Sequence, residues 1–303
     1  MAKLTAIGLA VVCLCTTFMS AQQKAADEPS KYVWYEIAKV NSGKYQVYSK
    51  LISQLREAAN SAAPDVHWIA GSPITGDSDR VTFVTFHDNM ASIEKMMIAF
   101  DKVGETAGMK NANLSAESAE SEGGSYYVLA QYNKDISYRP LMVPQAETKW
   151  WASELVSLNP GCESELQDVA KQVIQMHQKA NDNDHWIAYD IRAGYPQPTV
   201  LFVTLMRSLA DDDQEPPAAA KELFESPPVR EMFSRFDKAC VRHVESTYSR
   251  VDPSLSRPPQ NLVAANPDFW TIKEEAPAVA TKKTKPKKSA VQPAAMKEKE
   301  KTQ

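Results

Sequence analysis

The sequence predicts an α+β protein of two tandem βαββαβ units packed sheet to sheet. Three observations predict it: an internal repeat, the same order of strand-like and helix-like runs in both copies, and central strands apolar on both faces. The repeat reads directly. Glu36-Ile-Ala-Lys-Val-Asn-Ser-Gly43 returns as Glu154-Leu-Val-Ser-Leu-Asn-Pro-Gly161, and His67-Trp-Ile-Ala70 as His185-Trp-Ile-Ala188, both at an offset of 118. Phe83-Val-Thr85 returns as Phe202-Val-Thr204, and Arg139-Pro140 is echoed by Arg257-Pro258. Matches in order at a nearly constant spacing mark a duplicated structural unit.

Each copy opens with an aromatic and β-branched run, residues 32–41 and 149–158, which suits a strand. A helix follows each glycine. Tyr48, Leu51, Ile52 and Leu55 form one apolar stripe, and Leu166, Val169, Ala170 and Val173 its counterpart, at i, i+3, i+4, i+7 spacing. Two strand-like runs come next, 66–74 with 81–87 and 185–192 with 199–206. Turn residues divide each pair, at Gly76-Asp-Ser-Asp79 and Gly194-Tyr-Pro196. A second helix carries Ile93, Met96, Met97 and Phe100, or Val229, Met232, Phe233 and Phe236. A last strand closes each copy, clearly at 125–132 and poorly at 247–251. This is the ferredoxin-like split βαβ unit. Right-handed crossovers set both helices over one face of a sheet of order 4-1-3-2. Val81-Thr-Phe-Val-Thr-Phe86 and Val200-Leu-Phe-Val-Thr-Leu205 lack the alternation of a sheet with one wet face, so both faces are expected to be buried.

On these residues, the HWIA and FVT segments and the topology, the chain resembles the dimeric α/β-barrel superfamily over about residues 30–258, with two protomers fused in tandem. The resemblance implies a pseudo-twofold monomer. It leaves function open, because that superfamily includes cofactor-free monooxygenases, haem-degrading and haem-binding enzymes, isomerases and non-catalytic ligand modules.

Outside the repeats, residues 1–21 combine Lys3, an apolar run and a small-residue exit at Ser20-Ala21, the pattern of an export signal to the periplasm or exterior. The first repeat is expected over 30–140, the second over 147–258, and a disordered Lys/Pro/Ala-rich tail over 259–303. With 43% hydrophobic residues the chain as a whole is globular, and a net charge of −4 argues against nucleic acid as a partner. Residues 273–303 hold nine Lys against four Glu, which suits a loose contact with an anionic envelope surface. Residues 110–124 and 209–228 are unshared insertions, expected as surface excursions, the first a solvated loop and the second with a short helical patch at 218–224. Cys162 and Cys240 remain after loss of the signal. An oxidising compartment permits a bridge between them, but helices expected to run parallel would set them at opposite ends, so the pairing stays open.

No phosphate-binding loop, hydrolase elbow or zinc spacing occurs, and no metal site is expected. The catalytic candidates are polar residues kept in both copies within apolar strands: Glu36 and Glu154, His67 and His185. Trp68, Trp186, Thr85 and Thr204 are the ligand-binding candidates. Asn41 and Asn159 are expected as helix N-caps, and His87, His177 and His243, which lack repeat partners, as packed or surface residues. The leading expectation is an exported, non-catalytic scaffold or binding module for a small hydrophobic or aromatic ligand, without a cofactor. The alternative is a cofactor-independent monooxygenase or a haem-binding or haem-degrading enzyme, with the Glu and His pairs as acid/base or axial groups.

Overall fold

The computed structural model describes residues 28–108 and 112–272. The expected export segment and the basic end of the tail lie outside them. The first half contains β1 (Tyr32–Val40), α1 (Tyr45–Ala62), β2 (Ile69–Pro73), β3 (Arg80–His87), α2 (Met90–Thr106), α3 (Ala112–Ser121) and β4 (Glu122–Tyr132). The second contains β5 (Trp150–Leu158), α4 (Glu163–Ala180), β6 (Ile187–Ala193), β7 (Thr199–Met206), α5 (Ala218–Glu225), α6 (Pro227–Cys240) and β8 (Val241–Val251). Two short helices, α7 (Gln260–Ala265) and α8 (Pro267–Trp270), follow.

All eight strands close into one antiparallel barrel of order β1-β3-β2-β8-β5-β7-β6-β4. Each half keeps the predicted order 4-1-3-2, but the predicted packing of sheet on sheet is corrected. The halves join edge to edge, β2 with β8 through Gly71↔Val251 and β4 with β6 through Gln131↔Asp190. An open four-stranded unit has unpaired edges at its outer strands, and closure removes them.

Alternation along each strand now has two buried destinations. On β1, Ala38 and Val40 turn outward to the helices while Val33 turns into the barrel. On β7, Val200 faces α4 and α6 and Leu201 faces inward. That explains the near-continuous apolar runs. β8 read poorly as a strand because its outer face is largely wet and carries Arg242, Val244 and Ser246.

Four further expectations change. The two helices of each half are antiparallel, since one follows an ascending strand and the other a descending one. The start of α4 therefore lies at the end of α6, and Cys162 and Cys240 form a disulfide with Cα atoms 5.5 Å apart. Asn41 and Asn159 do not cap the helices that follow them. They donate Nδ2–H to Glu120 O (2.9 Å) and Ala239 O (3.0 Å), at the far end of the second helical stretch of each half. The insertion at 110–124 carries α3 instead of a bare loop, and residues 259–272 pack on the barrel end: Trp270 is 4% exposed and donates Nε1–H to Ala146 O at 3.0 Å.

Candidate functional site

The barrel interior holds a cavity of about 190 Å³. Its wall is mostly apolar, with Val84, Val128, Ile187, Ile191, Leu201 and Val203 among its side chains. At one end Leu262 and Trp270 of α7 and α8 pack with Ile69 and Val251, and Trp151 closes over them. Gly71 makes room for Trp151: a Cβ there would fall 2.0 Å from the indole Cη2.

The opposite rim is polar. Arg80, at the start of β3, sets Nε 3.0 Å from Asp77 Oδ2 and Nη1 3.7 Å from Glu245 Oε1 on β8. Tyr195, in the β6–β7 turn, donates its hydroxyl to Glu245 Oε2 at 3.3 Å, and its ring lies 6.3 Å from that of Tyr126. Burial, then the neighbouring Tyr126 and Glu245, hold the Tyr195 hydroxyl above its ordinary range, so it stays a donor. A bond from the Asp79 backbone N–H holds Asp77 below the usual carboxylate range, with Arg80 adding to the effect. Deeper inside, burial pushes up the hydroxyls of Tyr35 on β1 and Tyr189 on β6.

The candidates kept in both repeats lie on the other side of the sheet, toward the helices or the surface. Glu36 sits between Tyr48 and Tyr127, whose hydroxyl reaches Oε1 at 3.4 Å; burial and then Glu122 raise its pKa. Glu154 is exposed beside an outer cleft of about 820 Å³, which Trp186 and Thr204 also line. Thr85 bonds not to a glutamate but to His87, with Oγ1 and Nε2 2.8 Å apart. With His67 and Trp68 these two residues line the matching cleft of the first half, about 730 Å³. His67 and His185 do not share an environment. Arg257 Nη1 stands 3.4 Å from His67 Nδ1, and burial and then that cation keep the ring neutral. His185 donates Nε2–H to Leu205 O at 2.8 Å.

Trp68 and Trp186 have a shared structural task. Each donates its indole N–H at 2.7 Å, to Leu255 O and Ile136 O respectively. Beside them Ala70 N–H and Ala188 N–H each donate to a serine, Ser256 and Ser137, at 2.8 Å. Each acceptor lies in the segment after the other half's last strand. Arg139 and Arg257 act alike, donating to Asp182 O (2.7 Å) and Pro64 O (3.1 Å). The repeated residues thus staple the two halves together.

Sequence comparison of the copies missed the interior residues because it looks for identity. Tyr35 corresponds to Ser153, Gly71 to Tyr189, Tyr126 to Glu245, and Arg80 is matched by no arginine. The signal was present as departures from the repeat within strands.

A haem fits poorly at His185, one of the two histidines expected to ligate it. His185 Nε2 carries a proton committed to Leu205 O, and His67 stands against a guanidinium. A cavity of about 190 Å³ suits one aromatic ring, since about 150 Å³ holds benzene.

No family model and no curated relative matches the chain. Solved structures do, at low identity. An anthrone oxidase-like protein is 12% identical with a TM-score of 0.47, covering 75% of this chain and 93% of its own. A chlorite dismutase from Candidatus Nitrospira defluvii is 7% identical with a TM-score of 0.44, covering 81% and 98%. A haem-binding protein from Thermus thermophilus is 8% identical with a TM-score of 0.41, covering 74% and 92%. The leading expectation of a non-catalytic module is corrected here: these neighbours are an oxidase-like protein, a dismutase and a haem binder, and they stand with the alternative reading. The duplicated 4-1-3-2 units, closed edge to edge in one polypeptide, give the barrel architecture that the resemblance to the dimeric α/β-barrel superfamily implies.

Proposed function

We propose that this chain is an enzyme of the cofactor-independent monooxygenase type, acting on a small hydrophobic one-ring substrate inside the barrel. The observation that carries the reading is the carboxylate–guanidinium pair, Glu245 with Arg80, at the polar rim of a mostly apolar cavity. Glu245 takes an acidic C–H or O–H proton from the substrate. Arg80 stabilises the resulting anion, which a low-dielectric surrounding otherwise disfavours. Tyr195 holds the Glu245 carboxylate in place. The anion then reacts with dioxygen: for an activated methylene, CH₂ and O₂ give C=O and H₂O, the carbon being oxidised and O₂ reduced. The disulfide supports an exported protein, because such bridges persist in oxidising compartments.

Oxygen uptake with a panel of hydroquinones and cyclic 1,3-diketones tests this. Wild-type protein is expected to consume oxygen with one or more of them, and Glu245→Gln to lose about 10²-fold or more of the rate. Equal rates in the two proteins would remove Glu245 from the reaction.

A further inference from the structure

Resting on the barrel-interior reading above, we propose that Tyr35 and Tyr189 form a ligand-reading pair, whose two hydroxyl donors select a one-ring molecule with a carbonyl-type oxygen at its inner end. Both residues line the cavity, and Tyr189 is only 3% exposed. Neither hydroxyl has a hydrogen-bond partner among the described residues, whereas Tyr195, also in the cavity wall, bonds to Glu245. Ser72 Oγ is the buried side-chain polar atom among the described residues that is both sealed from space and unbonded. The two tyrosine oxygens, equally unbonded, therefore border open volume, and the volume at hand is the cavity.

An unbonded donor in an apolar wall carries an unrecovered desolvation cost, which a bound acceptor removes. Neither tyrosine is a relic of the duplication, since the other half has Ser153 and Gly71 at these places. Burial keeps both hydroxyls protonated, so they recognise acceptors: aldehyde, ketone or quinone oxygens. Their two donors are matched by the two lone pairs of one carbonyl. The surrounding Val84, Val128 and Leu201 leave the rest of the ligand apolar.

Benzaldehyde and toluene, similar in size but with and without the oxygen, are the probes, titrated into full-length wild type, Tyr35→Phe, Tyr189→Phe and the double variant. Benzaldehyde affinity is expected to fall about tenfold for each hydroxyl removed while toluene is unaffected. The carbonyl stretch of bound benzaldehyde is expected at lower frequency in wild type than in the double variant. Tyr189→Phe alone carries the test should Tyr35→Phe fail to fold. Unchanged benzaldehyde affinity, an equal loss for both probes, or one stretching frequency in all proteins overturns the pair while leaving the barrel site standing. Absence of binding of either probe to wild type overturns the pair and the barrel reading together.

Discussion

On their helix-facing side the two halves are nearly the same structure; inside the barrel they are different ones. Outside, Trp68 and Trp186, Ser256 and Ser137, Asn41 and Asn159 make the same bonds at distances equal within 0.1 Å. Inside, a tyrosine faces the counterpart of a glycine, and a glutamate that of a tyrosine. Residues kept through the duplication hold the barrel shut, and residues that departed from it furnish the cavity.

The seam between the two helical stretches of each half offers the largest contrast. Where the second half has its disulfide, the first has Lys44 paired with Glu120 at the surface. Reduction, or Cys162→Ser with Cys240→Ser, is expected to lower unfolding free energy by about 4 kcal/mol for a loop of this length. Lys44→Ala should change it by less than about 1 kcal/mol. Urea melts of the four proteins measure both. Comparable losses would show the two seams to be equivalent.

Catalysis should divide the interior in the same way. Glu245→Gln should lose about 10²-fold of turnover, about 2.7 kcal/mol, with little effect on stability. Tyr126→Phe, at the matching place, should lose much less. Equal losses would make the rim symmetric in function and sink the assignment of the base.

The outer staples should resemble each other. Trp68→Phe and Trp186→Phe each strand a carbonyl, Leu255 O or Ile136 O, and should cost about 1–3 kcal/mol apiece by chemical denaturation. A variant that lost ligand binding at full stability would restore that tryptophan to a ligand site.

The smallest effect concerns pH. Burial holds the His87 imidazole below its ordinary value of 6.5, so the unfolded chain binds a proton that the folded chain refuses. Stability contributed by neutral His87 is present above about pH 6.5 and declines as pH falls below it, levelling once the folded ring also protonates. His87→Met, which installs the residue found at the matching place in the second half, Met206, should flatten that part of the stability curve.

Much of the scaffold was legible because duplicated cores repeat their apolar spacing, and strand order follows from the split βαβ unit. Closure was not, because edge-to-edge pairing is carried by backbone groups that leave little mark on residue type. The disulfide stayed open because the helices were given the wrong relative direction. Glu36 and Thr85 drew notice as polar residues within apolar strands, yet their partners are Tyr127 and His87, unshared residues that an identity search passes over. The interior site was hidden for the same reason: Arg80, Glu245, Tyr35 and Tyr189 each stand where the other copy has something else.

Four steps around the barrel separate β1 from β5, β3 from β7, β2 from β6 and β4 from β8. The rotation relating the halves therefore runs along the barrel axis, through the cavity. In an assembly of two identical subunits that axis would impose its symmetry on whatever the cavity binds, so every acid would face an identical acid. Joining the subunits covalently lifts the restriction. One wall can then hold a carboxylate where the opposite wall holds a phenol, and a bound molecule can have a head and a tail.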